Sequence, residues 1–341
     1  MASTPERISQ LARELDATLS SSIGQIQDLN ERTHVLAINA RIEAARAGVS
    51  GRGFRVVADA FSQLNLEIQN VSVHLTQEAG SRLEALQAIS GELAGVVRGQ
   101  RLTHLAQSVM DVVDRNLYER SCDVRWWATE PEVVKALEPG AGLESVGARL
   151  ATILDSYTVY DDIVVVNLDG RVVANGRPGR FAVEGIDQSR EPWFVSARSR
   201  SSGREFGFQS AHRGALAGGG PVLVYSCLVG RDGDPGAPPV GVLGVVFRWE
   251  GLGRASLDRT AVYVDGAAEL LLVEPTGRIL AQAGSSEFGG AVDWPGAPEL
   301  LASAGSGYAL SPDGASILAR GLSPGFETYA TGWSCLLRQK L

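Results

Sequence analysis

Apolar residues near the head of the chain recur every seven positions, and a run of glycines interrupts them. Leu15, Ser22, Leu29, Leu36 and Glu43 form one column, and Leu19, Ile26, Thr33, Ala40 and Ala47 form another. The pattern breaks at Gly48-Val-Ser-Gly-Arg-Gly53 and resumes with Phe54, Val57, Phe61, Leu64, Ile68, Val71 and Leu75. Alternating spacings of three and four place such residues along one seam of a helix, as coiled-coil packing requires. Two such helices joined by a Gly-rich turn predict an antiparallel hairpin. Ala37, Ala40, Ala44, Ala45 and Ala47 are small enough to let the helices approach closely at the turn. A lone hairpin buries little apolar surface, so the pattern predicts a homodimer that closes a four-helix bundle. An ordinary helical bundle has the same periodicity.

The remainder of the chain is of another kind. Pro5 is the only proline before residue 131, after which Gly and Pro become frequent and short β-rich runs alternate with turn signals. With 341 residues, 44% of them hydrophobic, there is material for two or three structural units. A formal net charge of −8 argues against binding nucleic acid or an anionic membrane surface. Cys122, Cys227 and Cys335 are odd in number and far apart, which fits neither a disulfide framework nor a metal knuckle. No apolar run reaches the ~18–20 residues a membrane span needs, so no membrane insertion is expected. Met1-Ala-Ser-Thr-Pro-Glu-Arg7 lacks the basic and apolar regions of a signal peptide, and a cytoplasmic location is expected.

Residues 33–64 read THVLAINARIEAARAGVSGRGFRVVADAFSQL. The segments Leu36-Ala-Ile-Asn-Ala40, Ile42-Glu-Ala-Ala-Arg-Ala-Gly48, Gly51-Arg-Gly-Phe54 and Val56-Val-Ala58 closely resemble the cytoplasmic tip of methyl-accepting chemotaxis proteins. The resemblance implies that a histidine kinase and its coupling adaptor dock on the tip. It assigns the docking surface to Val35, Ile38 and Val56, with Arg52 beside them. Asn39, Glu43 and Arg46 match polar tip positions that tie neighbouring helices together, and Gly48, Gly51 and Gly53 match the turn. A small exposed apolar patch flanked by a planar guanidinium is itself suited to docking; the alternative is that these apolar residues fill the bundle core. Glu31-Arg32 and His34 depart from the family pattern where dimers normally join into trimers. Gln77-Glu78 is a weak match to a methylation site, and Leu336-Leu-Arg-Gln-Lys-Leu341 does not resemble the tail that recruits adaptation enzymes.

Residues 100–138 are expected to form a second helical region, and 99–149 to link it to a sensor. Cys122 within it is either a redox switch or a small core residue. Ile163-Val-Val-Val-Asn-Leu-Asp-Gly-Arg-Val-Val-Ala174 reads as a β-hairpin turning at Asp169-Gly170. A helix starts around Pro192, and strands follow at 221–229 and 240–249. A second hairpin at 269–281 repeats the first, VVVNLDGRVVA against LLLVEPTGRILA. Strand-like runs at 316–320 and 329–337 close the chain. The order resembles a double Cache domain, with PAS-like antiparallel-sheet modules at 150–258 and 259–341. The segment Asp187-Gln-Ser-Arg-Glu-Pro-Trp-Phe194 resembles the family's pocket helix.

The resemblance implies a small-molecule site drawn from Asp187, Arg190, Glu191, Trp193, Phe194 and Tyr225. Tyr157, Tyr160 and Trp249 are further candidates for its wall and Arg248 for a polar contact; each aromatic is otherwise a core residue. Glu191 stands where amino-acid-binding members carry an Arg, which leaves a cationic ligand against a tryptophan face as an alternative. The four histidines are scattered, and no nucleophile motif, P-loop or cofactor site is recognisable, so no enzyme activity, metal or cofactor is expected. The expected fold is thus a helical hairpin of residues 1–98, a linking helix and two PAS-like modules. The expected function is that of a chemoreceptor-like transducer, with a dimeric scaffold or a redox sensor as alternatives.

Overall fold

In a computed structural model, the described residues are 4–341. Met1–Ser3, part of the segment read as lacking a signal peptide, lie outside them. Helix α1 spans Thr4–Arg46, a 3-10 turn covers Gly48–Gly51, and α2 runs from Arg52 to Trp127. The region expected as a separate helix at 100–138 is therefore a continuation of α2. The helix stops where Glu130 adopts extended geometry (φ −62°, ψ 130°) ahead of Pro131, whose ring disfavours a helical residue before it. Short helices α3 (Pro131–Lys135) and α4 (Glu144–Ser156) complete the stretch expected as the linking helix. No helix among the described residues is long and apolar enough to cross a membrane. The chain divides into two compact units, Met1–Arg98 and Gly99–Leu341.

In the first unit, Ser9 bonds Ser90 (2.9 Å), Asn30 donates to the Asn65 carbonyl (3.0 Å), and Arg41 pairs with Asp59 (3.2 Å). The sequence separation of these partners shrinks toward the 3-10 turn. The seam between α1 and α2 is not the one the large apolar residues mark. It is built from Ile23, half-buried Asn30, Ala37 and Ala44 on α1 and from Ala58, Asn65 and Ser72 on α2, each set spaced by sevens. Leu15, Leu29, Leu36, Phe54, Val57, Phe61, Leu64, Val71 and Leu75 remain exposed. Small side chains win the inner seam because they let two backbones come close, and that leaves the bulky stripe facing outward.

The second unit holds two five-stranded antiparallel sheets of equivalent topology. The first joins β1 (Tyr160–Asn167), β2 (Val172–Asn175), β3 (Phe206–Arg213), β4 (Pro221–Gly230) and β5 (Pro239–Arg248) in the order β2-β1-β5-β4-β3. Helix α5 (Pro192–Arg198) lies between β2 and β3 in sequence, and α6 (Gly253–Ala261) follows β5. The second sheet joins β6 (Ala268–Val273), β7 (Ile279–Gln282), β8 (Gly307–Leu310), β9 (Ser316–Leu322) and β10 (Ser334–Lys340) as β7-β6-β10-β9-β8, with α7 (Ala297–Ala302) between β7 and β8. The repeat seen in the sequence extends to irregularities. The β1–β2 register shifts after Val165↔Ala174, and the β6–β7 register shifts after Leu272↔Ala281. Both turns carry a positive-φ glycine, Gly170 and Gly277.

Their side chains differ. Asn167 Oδ1 accepts from the Asp169 and Arg171 amides of its own turn. Glu274, at the matching place, accepts from Ser210 on β3 of the other sheet, and Arg278 donates to the Ala211 carbonyl at 2.6 Å. The last strand begins at Ser334 rather than at Tyr329 as expected. Glu327 and Gly332 take positive φ, which breaks extended geometry before it.

Strands β1, β4 and β5 are buried on both faces, which is why they read as unbroken apolar runs. Ile163 and Val165 face a core shared with Leu102, Ala106, Val109, Met110, Val113 and Leu117 of α2 and with Leu270, Leu272 and Leu337 of the second sheet. Val164 and Val166 face the opposite way, toward α5. Leu271, Val273 and Leu336 form a third cluster with Trp294 and Leu300 at α7. The two sheets are linked by a Tyr225–Tyr329 hydroxyl pair (2.6 Å) and by Trp249 Nε1 donating to the Leu280 carbonyl (2.6 Å).

Candidate functional sites

At the turn of the first unit, Gly48 takes φ +61°. A Cβ on Gly51 would fall 2.1 Å from the Ala44 carbonyl oxygen, so only glycine permits that approach. Gly53 is unlike these two: it lies inside α2 with open space at its Cβ position. Val35, Ile38 and Val56 are exposed, Val56 at 69%, as are Arg52 and Asn39. They do not fill a core within this chain. Glu43 and Arg46 pair with each other along the helix surface at 3.3 Å. A hollow of about 430 Å³ lies beside the turn, lined by Ala40, Glu43, Ala44, Ala47, Gly51 and Phe54.

The residues expected to bind a ligand are not brought together. Trp193 and Phe194 are buried on α5, edge to face at 5.9 Å, against the Val164, Val224 and Val246 face of the first sheet. Tyr225 points to the other face, because successive strand residues alternate. Gly207 and Gly244 close the space beneath α5: a Cβ on Gly207 would meet Ala197 N at 2.5 Å, and one on Gly244 would meet the Trp193 ring at 2.9 Å. Asp187 is exposed and accepts from the Ser189 amide at 2.8 Å, which holds its carboxyl below the usual range, with smaller help from Arg171 and Arg190. Arg190 is exposed and half-buried Glu191 precedes α5. Tyr157 and Tyr160 pack edge to face on Trp127, and Trp249 does so on Trp333.

The cysteines differ in surroundings. Burial pushes the Cys227 and Cys335 thiols up to about 12, which keeps them as unreactive thiols. Cys122 is half-buried and accepts from Arg125 at 3.4 Å. Among the described residues, no three His, Cys, Asp or Glu side chains group as metal ligands would.

Buried polar groups fasten the double-sheet unit at positions that look like plain strand in the sequence. Asp162, buried in β1, accepts from Asn175 Nδ2 (2.6 Å) and from the amides of Ile163 (2.8 Å), Gly176 (3.0 Å) and Arg177 (3.0 Å). Burial pushes its carboxyl up to about 6 from an ordinary 3.8, against the downward pull of those donors. A carboxyl raised on folding stabilises the fold fully below about pH 4 and loses that contribution as pH rises through about 6. A shift of that size corresponds to on the order of 3 kcal/mol at ~1.4 kcal/mol per unit. The difference in melting temperature between wild type and Asp162→Asn should therefore change across pH 4–6 and stay level above it. Parallel profiles through that window would show that Asp162 does not titrate there.

A cleft not anticipated from the sequence, of about 410 Å³, lies where α2, the segment before β1, the end of β5 and α6 meet. Val112 and Asn116 line it from α2, Thr158 and Val159 from the β1 side, Phe247 and Arg248 from β5, and Leu252 and Arg259 from the α6 side. Of the polar contacts expected from the sequence, Arg248 alone lines it. The others come from elements remote in sequence, and no local motif marks them.

Residues 1–113 match the family model of the methyl-accepting chemotaxis protein (MCP) signalling domain. The methyl-accepting chemotaxis protein PcaY of Pseudomonas putida is 41% identical over 106 residues, covering 28% of this chain and 18% of that protein. HlyB of Vibrio cholerae is 41% identical over 87 residues, covering 24% and 16%. The chain thus spans under a fifth of the length of these curated relatives. Among solved structures, the sensory domain of the Campylobacter jejuni chemoreceptor Tlp3 aligns with a TM-score of 0.51 at 14% identity, over 71% of this chain and 92% of that one. The ligand-binding domain of the Pseudomonas aeruginosa amino acid chemoreceptor PctB, solved with L-Arg, aligns with a TM-score of 0.50 at 17% identity, over 71% and 94%. At such identities the likeness is one of fold. This chain carries the signalling-domain sequence of methyl-accepting chemotaxis proteins over residues 1–113 and the fold of chemoreceptor sensory domains in its double-sheet part.

Proposed function

We propose that the chain is a chemoreceptor-type signal transducer. Residues 1–98 act as an antiparallel helical hairpin, pair with a second copy into a four-helix bundle, and regulate a histidine kinase through its coupling adaptor. Residues 99–341 bind a small molecule. The observation that carries this reading is the signalling-domain match, whose docking positions Val35, Ile38 and Val56 are solvent-exposed. The outward stripe of Leu29, Leu36, Phe61, Leu64 and Val71 supports pairing with a second copy, since monomers rarely leave so long an apolar stripe in water. Working with a kinase and its adaptor implies a cytoplasmic location and a signalling output rather than catalysis by this chain.

The test is kinase phosphorylation in a reconstituted mixture of the chain, a chemotaxis-type kinase and its adaptor. Val56→Glu puts a charge into the apolar docking patch at an exposed position. It is expected to weaken kinase control about tenfold or more while leaving the melting temperature within ~1 °C. Glu31-Arg32 at the family's trimer positions favours a second reading, a dimeric scaffold without kinase control. Control unaffected by Val56→Glu would select it.

A further inference from the structure

We propose that the cleft between α2, β5 and α6 binds a small organic carboxylate with a short apolar body. The inference rests on the reading of residues 99–341 as a sensor and names a site and a ligand class for it.

The first argument is charge. None of the residues lining the cleft is acidic, and Asp161, the partner of Arg248, already serves more than one cation. Arg248 directs both Nη2 (3.0 Å) and Nε (3.1 Å) to Asp161 Oδ1, and Arg180 reaches the same oxygen at 3.6 Å. Arg248 Nη1 has no partner among the described residues. Arg259 has no acidic partner within ion-pair distance among them, and only a long contact of 3.4 Å to Ser256. Two guanidinium groups thus border one cleft with less anionic charge than would neutralise them. Guanidinium forks suit planar carboxylates.

The second argument is shape. About 410 Å³ falls within the range of small-molecule sites. Val112 and Val159 are exposed at 42% and 39%, so they offer apolar surface that a ligand body would cover. Phe247 and Leu252 behind them are buried and fix the floor. A ligand seated there touches α2, β5 and α6 at once. It would favour whichever arrangement of these elements brings Val112 and both arginines together, which is how binding shifts a conformational equilibrium.

Calorimetric titration of the full chain with butyrate and benzoate, with butyramide and benzamide as neutral counterparts and sulfate as an inorganic anion, tests this. Saturable binding of a carboxylate but not of its amide is expected. Arg259→Gln should weaken it about tenfold or more. Val159→Trp, at a half-exposed position, should abolish it by filling the cleft. Arg198→Gln, on the exposed side of α5, should leave it unchanged, and the melting temperature of each variant confirms folding. Equal binding of sulfate and butyrate, or no binding of either carboxylate, overturns the inference. Carboxylate binding that survives both Arg259→Gln and Val159→Trp also overturns it, yet leaves the sensor reading intact with the ligand elsewhere. The sensor reading itself is lost only if a broader set of amines, amino acids and purines also fails to bind.

Discussion

Replacing Gly321 by valine should lower the unfolding temperature of the unit Gly99–Leu341 by roughly 6–12 °C. Gly321 sits in β9 opposite Cys335, and a Cβ there would lie 2.3 Å from the Ala106 carbonyl carbon and the Gln107 amide nitrogen of α2. These are backbone atoms of a packed helix and cannot swing aside as a flexible side chain would. On either side the contact is bonded as well: Gln107 Nε2 donates to the Leu322 carbonyl at 3.0 Å, and Ser306 donates to Gln107 Oε1. Overpacking a tight site costs about 1–3 kcal/mol, and a backbone clash belongs at the upper end. Each kcal/mol moves the midpoint of a domain this size by about 2–4 °C. Tryptophan fluorescence, with Trp294 and Trp333 in the second module, reports the transition. An unchanged midpoint would mean that α2 sits on the second sheet less closely than described.

Asp114→Ala is the other large effect, an expected loss of about 2–4 kcal/mol. This fully buried side chain on α2 accepts from Ser323 Oγ (2.6 Å), the Gly325 amide (2.8 Å) and Thr331 Oγ1 (3.1 Å). Alanine leaves those donors without an acceptor, and each buried orphan costs about 1–3 kcal/mol, reduced where water can enter. Asp114→Asn keeps one acceptor and should recover part of the loss. Hydrogen exchange should accelerate selectively across residues 323–333, the segment that Asp114 holds in place before β10. Uniform exchange across residues 99–341, with no local change in that loop, would refute the anchoring role.

Periodic and turn-rich segments made much of this fold legible. The Asp169-Gly170 turn with its flanking strands, the hairpin at 269–281 and the Pro192 helix start appear where the pattern put them. Edge strands β3 and β8 went unread because their short, mixed runs, FGFQSAHR and GYAL, lack strict alternation. Heptad columns identified long helices, but periodicity cannot say which of two stripes meets the partner helix. The outer stripe was the conspicuous one because its residues are large, whereas the inner seam of Ala, Asn and Ser has no hydrophobic signature. Among the residues expected to bind a ligand, Trp193 and Tyr225 lie on opposite faces of the first sheet, by a strand parity that becomes visible only once registers are fixed. The Arg248 and Arg259 cleft depends on contacts between α2, β5 and α6, and no local motif encodes them.

The matched hairpins of the two sheets amount to a duplication in which one copy has changed occupation. In backbone they are interchangeable, down to the same register shift and the same glycine. In chemistry they are not. Asn167 serves only its own turn, while Glu274 and Arg278 reach across to Ser210 and Ala211 of the preceding module. These two side chains reach from the later hairpin to the earlier sheet, and Trp249 of the first module donates back to the Leu280 carbonyl of the second. One hairpin thus closes on itself, while its replica ties the second sheet to the first through two side chains of the same turn.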